Sequence, residues 1–314
     1  MRSKKLDHED VIKFDIVKNR RKFYAISGTI MVLGLAIMLI FGLNLGVDFK
    51  AGTRLDLFIG KEFNTEDVQK IIAEKAPAYH ASPVTKFGDK DMSATTRFDQ
   101  KVPSAELETI EKAMKEKYGN QVSKQESSVD PSIARELAWK AGVALAIASV
   151  GIIIYIAIRF QFLFGIACVI ALLHDAFIPI ALFSLFRLEV DLTFIAAILT
   201  IVGYSINDTI VIFDRIRENL RTMKSKTPED LEHLVNVSLW QTMRRSVFTV
   251  ATVFFTALAI AVLGSEGIRN FSLALIFGLV SGTYSSIFIA AQVWVTLKKR
   301  EMAKKKFAPA PNEA

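Results

Sequence analysis

The chain has 314 residues, 51% of them hydrophobic, and 39 Lys+Arg against 32 Asp+Glu give a formal net charge of +7. The apolar residues fall in blocks between charged stretches, which points to a polytopic membrane protein and away from an ordinary soluble chain of one or two domains. The basic excess lies in short segments flanking those blocks, where it is read as setting orientation, and the polar domain described below has no basic stripe with interleaved aromatics, so nucleic acid is excluded as a partner.

Residues 1–22 form a cytoplasmic N-terminal segment that carries Lys18, Arg20, Arg21 and Lys22 just before the first apolar run. That run, 23–45, is too long for a signal-peptide core and lacks a convincing cleavage site, so it is expected to be transmembrane helix 1. Residues 46–137 are polar enough to be one extracytoplasmic domain. Within it, 53–59 alternate as a strand. Thr65 is expected to cap a helix through Ala76, with Glu66 and Asp67 in its first turn. Residues 80–86 and 93–99 read as strands. Pro103 opens a second helix with Leu107, Ile110 and Met114 on one face, closed by Gly119, and 121–129 form a last strand. The order βαββαβ predicts a ferredoxin-like α+β fold.

Residues 138–297 are expected to hold transmembrane helices 2–6, with apolar runs near 138–158, 162–186, 190–213, 245–264 and 269–297. A cytoplasmic connector spans 214–244, with 222–232 expected to be mobile. Residues 298–314 form a basic cytoplasmic tail, read as a topology anchor near anionic lipid. Arg159 in one short link, the arginines and lysines of 214–244 (Lys224 among them) and Lys298, Lys299, Arg300, Lys304, Lys305 and Lys306 in the tail all fall on one side. The opposite links hold only Arg187 and Arg269. The positive-inside rule therefore puts both termini in the cytoplasm.

Several spans carry groups that a bilayer penalises. An aspartate at the centre of a spanning helix costs about 2.5–3.5 kcal/mol, and such a group is a functional-site hypothesis by default. His174 and Asp175 lie mid-way through the third span, ahead of Pro179. The fourth span ends in GYSINDTIVIFDRIREN, 203–219, with Asn207 and Asp208 inside it. Its Thr193, Ala196, Ala197, Thr200, Gly203 and Tyr204 continue a small or polar stripe at helical spacing. Arg245 opens the fifth span at a depth where Asp208 can pair with it. Span six repeats small residues at Ala274, Gly278, Ser281, Gly282 and Ser285, read as helix packing. A buried acid, a switchable cation and a wet path are what ion coupling needs. No HExxH site, Walker A loop or metal-ligand cluster is present, so no cofactor is expected and the chain is not read as an enzyme. Nor do the aspartates sit in a glycine-flanked aspartyl-protease motif.

These segments resemble the SecD/SecF protein-export family on its SecF side. GYSINDTIVIFDRIREN is similar to its fourth-helix signature and LLHDAFIPIALFSLF (172–186) to its third-helix segment. GVDFKAGTRLDL (46–57) is similar to its GVDFxGG motif, and QTMRRS (241–246) to its QTxxRT segment. Lys50-Ala51 replaces the usual Thr/Ser-Gly, and Asp130 stands where glycine is frequent before Pro131. The resemblance implies a subunit of the resistance–nodulation–division superfamily in the bacterial cytoplasmic membrane. It would use a proton or sodium gradient for late, ATP-independent export of unfolded secretory polypeptides. It also implies Asp208 as the proton-carrying carboxylate, Arg245 as its coupled cation and Asn207 beside them, with His174, Asp175, Tyr204, Ser205 and Thr209 in support. SecD, the SecYEG channel, SecA, YajC and membrane lipids are the implied partners. A half of a small-molecule or lipid exporter of the same superfamily is the alternative.

Overall fold

The computed structural model describes residues 14–88, 92–223 and 225–306, together with Ile12. In chain order, α1 (Arg20–Phe41) precedes β1 (Asn44–Leu45), α2 (Val47–Lys50), β2 (Gly52–Phe58), α3 (Thr65–Lys75), β3 (Thr85–Phe87), β4 (Ser93–Phe98), α4 (Ser104–Tyr118) and β5 (Ser123–Val129). The chain continues through α5 (Pro131–Arg159), α6 (Phe162–Leu185), β6 (Glu189–Val190), α7 (Leu192–Thr222) and α8 (Pro228–Leu263). It ends in α9 (Glu266–Ser285), a π-helical turn (Ser286–Ala290) and α10 (Ala291–Lys306). Two compact units result. One takes in the chain up to Leu43, Ala146–Leu188 and Thr193 onward; the other is Asn44–Leu145 with Glu189–Leu192.

In the helical unit, six helices among the described residues are long and apolar enough to cross a bilayer, α9 to α10 counting as one. Four of the six helices run past the expected apolar runs, because apolarity ends before these helices do. Within 214–244, expected to be a connector, α7 runs on to Thr222 and α8 starts at Pro228. Beyond the apolar stretch, α7 and α8 become amphipathic, and Ile212, Phe213, Ile216, Leu231, Leu234 and Val235 enter one core. A capping box starts α8: the Thr227 hydroxyl accepts from the Asp230 N–H, and the Asp230 carboxylate accepts from the Thr227 N–H. The segment 222–232 is thus helical at both ends, and Lys224 lies outside the described residues, as do residues 1–11, the Lys305 and Lys306 side chains and 307–314. The first span stops at Phe41, where Gly42 adopts φ 63°.

Burial separates the helices into inner and outer ones. The apolar stretches of α6, α7 and the sixth span are 44%, 44% and 61% buried, those of α1, α5 and α8 only 11%, 6% and 11%. Val32, Leu39, Ile40, Ile158 and Leu263 face outward instead. Water penalises such a surface and lipid accepts it. Small residues let the helices close on one another. A Cβ on Gly278 would lie 2.3 Å from Ile201, and one on Gly34 2.7 Å from the Phe177 ring.

The second unit is a βαββαβ sandwich whose sheet runs β3-β4-β2-β5 with every neighbouring pair antiparallel. Element order and pairing agree in outline with the ferredoxin-like expectation. Leu55, Leu57, Ala94 and Phe98 from the sheet meet Val68 and Ile72 of α3 and Leu107, Ile110 and Met114 of α4. Two local expectations change. Asn64, not Thr65, caps α3, its Oδ1 accepting from the Glu66 N–H at 2.9 Å. Pro83 has no N–H for a ladder, so the strand expected over 80–86 shrinks to β3 and an isolated bridge between Ala81 and Phe98.

The turn into β2 is tight. Ala51 sits at φ 67°, ψ 176°, backbone that glycine adopts freely and alanine does not. At Gly52 (φ 107°) a Cβ would come within 2.1 Å of the Phe98 carbonyl oxygen. Nearby, Asp48 Oδ2 accepts from the Leu192 N–H at 3.0 Å, so the GVDF segment holds the chain entering α7. Arg54 lies between Asp56 (2.9 Å) and Glu189 (3.0 Å), and Glu189 also binds Arg97 at 2.8 Å. Burial works against the Arg54 charge, yet the Glu189 and Asp56 carboxylates outweigh it and hold the guanidinium above its ordinary value.

Candidate functional site

Two aspartates organise the interior of the helical unit. On α6, Pro179 cannot donate to the carbonyl of Asp175 four residues before it. The Asp175 side chain is fully buried. Its Oδ2 accepts from the Ser205 hydroxyl of α7 and the Ser285 hydroxyl of α9, both at 2.5 Å. Its Oδ1 accepts from Ser281 of α9 at 3.0 Å and lies 3.1 Å from His174 Nδ1. Four polar groups from three helices therefore converge on one carboxyl. His174 Nε2 is buried without a hydrogen-bond partner. The ring lines a cavity of about 530 Å³ bounded by α1, α6 and α9, with Ile30, Ile178, Phe277 and Tyr284 in its wall.

On α7, positions 205, 208 and 209 fall on one side by helical spacing, and Ser205, Asp208 and Thr209 are all buried. Asp208 is 8% exposed. Ser246 of α8 and Ser286 of the π-helical turn face its carboxyl. Even so, its Oδ2 and the Ser246 hydroxyl lack a partner at hydrogen-bond geometry. Thr209 and Ser286 hydroxyls meet at 2.9 Å. A cavity of about 10 Å³ adjoins Asp208, lined also by Tyr204, Ser205, Val250, Gly278 and Gly282, close to the lower limit for one water.

The sequence-predicted residues separate into two sets. Asp208, Ser205 and Thr209 share the interior with His174 and Asp175. Asn207 and Tyr204 do not join that network; Asn207 is exposed on this chain and Tyr204 is 37% exposed. Arg245 is also exposed and forms no ion-pair contact with Asp208, though its charge reaches the carboxyl through space, as does that of Asp175. Sequence reasoning missed Ser246 and Ser286 and read Ser281 and Ser285 as packing. The detectable signal was the Ser285-Ser286 pair in an apolar helix, where the helix changes to π geometry.

Around Asp214 and Glu232 the charges are paired. Asp214 binds Arg159 at 3.0 Å and Arg217 at 3.2 Å, and Arg215 donates to Gln241 and Glu218, both at 2.6 Å. Glu232 joins Arg20 and Lys299, each at 2.7 Å.

Comparison with known proteins places these features in a lineage. The family model described as protein export membrane protein SecD/SecF, C-terminal, matches residues 109–300, and the SecD/SecF GG motif matches 36–57. The chain is 44% identical over 306 residues to the protein translocase subunit SecF of Alicyclobacillus acidocaldarius, covering 95% of this chain and 99% of that one. It is 45% identical over 300 residues to the protein translocase subunit SecDF of Bacillus subtilis, covering 95% of this chain and 40% of the relative. The crystal structure of SecDF from Thermus thermophilus, described as a translocon-associated membrane protein, aligns with a TM-score of 0.81 at 31% identity, over 91% of this chain and 39% of that one.

Proposed function

The chain belongs to the SecF family of protein translocase subunits in the Sec export machinery, and from that premise we propose that it converts an ion gradient into late, ATP-independent movement of secreted polypeptides. The observation that carries this reading is Asp208, a buried carboxyl in an apolar helix with one oxygen unpartnered and a water-sized cavity beside it. One charge crossing 100 mV of membrane potential is worth about 2.3 kcal/mol. A carboxyl that gains and loses a proton between alternating environments couples that energy to helix rearrangement.

In this reading Asp208 carries the proton and Arg245 is the cation that answers it. SecD is the partner, consistent with the SecDF relatives in which both names are joined. The uncovered Asn207 and Arg245 support a SecD helix packing there, since polar groups in lipid otherwise lack partners. SecA supplies the earlier ATP step, the SecYEG channel the path, and YajC completes the assembly. Residues 46–137 hold emerging polypeptide on the outer side, and both termini lie in the cytoplasm.

The test is Asp208→Asn in membrane vesicles containing SecD and the channel. The variant assembles normally and loses the gradient-driven part of translocation while the SecA-driven part persists. Wild-type gradient-driven rates in the variant would remove Asp208 from the coupling role.

A further inference from the structure

Resting on the ion-coupling reading of Asp208, we infer that Asp175, with His174, is a second proton-exchanging carboxyl of this protein, joined to Asp208 through hydroxyls of α7 and the sixth span. An ionised carboxylate offers about four lone-pair sites. At Asp175 all are matched, by Ser205, Ser285, Ser281 and His174. A purely structural acid needs no alternative arrangement, but this network has one built in. The Ser285 Oγ also lies 3.2 Å from the Gly282 carbonyl, and the Ser281 Oγ lies 3.4 Å from His174 Nδ1.

When Asp175 takes up a proton, its new O–H donates to the Ser285 oxygen, and the Ser285 hydrogen turns to the Gly282 carbonyl. Neither the Asp175 carboxyl nor the Ser285 hydroxyl is orphaned in either state, so neither group incurs the penalty of an unmade hydrogen bond. Loss of the proton reverses both turns. His174 extends the same exchange. With Nδ1–H directed at Asp175, Nε2 is an acceptor, and it becomes a donor when the ring is protonated. That nitrogen lacks a protein partner and its ring lines the cavity between α1, α6 and α9.

The link to Asp208 runs through two adjacent steps. Ser205 binds Asp175 and lies three residues before Asp208 on the same side of α7. Ser285 binds Asp175, while its neighbour Ser286 binds Thr209 and faces Asp208. The π-helical turn beginning at Ser286 follows the Ser285 contact directly. Asp175 also reaches the Asp208 carboxyl through space as a like charge. The ionisable groups around Asp175 are His174 and Cys168 on its own helix, Asp208 on α7 and Tyr284 on α9, whose ring is 6.1 Å from His174. Arg245 of α8 enters through Asp208.

The experiment compares Asp175→Asn, Asp175→Glu and Asp208→Asn in vesicles of the full complex with SecD, read by gradient-driven translocation across pH and by infrared difference spectra of protonated carboxyls. Asp175→Asn is expected to lose the gradient-driven increment and one carboxyl band while the complex assembles normally. Asp175→Glu restores part of both. A wild-type pH profile with all carboxyl bands intact in Asp175→Asn overturns the inference. If Asp208→Asn is inert as well, the ion-coupling reading itself fails; if only Asp175→Asn is inert, that reading stands and Asp175 is structural. A variant that does not assemble shifts the decision to the wild-type spectrum in an isotope-edited Asp175 background, where absence of a gradient-dependent band counts against the inference.

Discussion

Asp208 and Asn207 are neighbours in the chain and opposites in the structure. A turn of about 100° per residue sends the aspartate inward among serines and leaves the asparagine outside. The cost of a buried acid made Asp208 legible as a functional candidate from the sequence, because few other residue types are so expensive there. Its serine partners were not legible, since serine in a membrane helix packs as well as it hydrogen-bonds. Ala51 shows the reverse. The sequence displayed a departure from a glycine-rich motif, and the backbone angle explains what the departure costs. Ala51→Gly removes strain on the order of 1–3 kcal/mol, so the variant should melt later than wild type in detergent. An unchanged or lower midpoint would mean that neighbouring groups already relieve the strain.

Among the elements, α7 and the sixth span decide the interior. Their approach depends on Gly278, where a Cβ would collide with several atoms of the Ile201 side chain. Gly278→Leu is therefore expected to destabilise the helical unit and lower the yield of folded protein in membranes. Gly203 is a contrasting case. It is exposed, and nothing lies within 4 Å of a Cβ placed there. Gly203→Trp should leave the melting of the isolated chain unchanged but reduce co-purification with SecD. Normal co-purification would move the SecD surface elsewhere. Span number and order were legible from hydropathy alone. Span ends were not, because the amphipathic turns of α7 and α8 look polar in any window yet bury one stripe.

For the molecule as a whole, charge asymmetry predicts cytoplasmic termini. A reporter active only outside the cytoplasm should work when inserted near residue 88 and fail when fused after residue 306; the opposite result would invert the topology. The βαββαβ unit was readable because its helices and β2 carry clear periodicity, whereas β3 is short and preceded by Pro83. The central claim is that gradient energy enters through Asp208, and one measurement addresses it most directly. Translocation is followed in vesicles of defined pH and sodium gradients, with SecD and the channel present, for wild type and Asp208→Asn. Wild type should respond to one of the two gradients and Asp208→Asn to neither, while equal gradient responses in the two proteins would contradict the account.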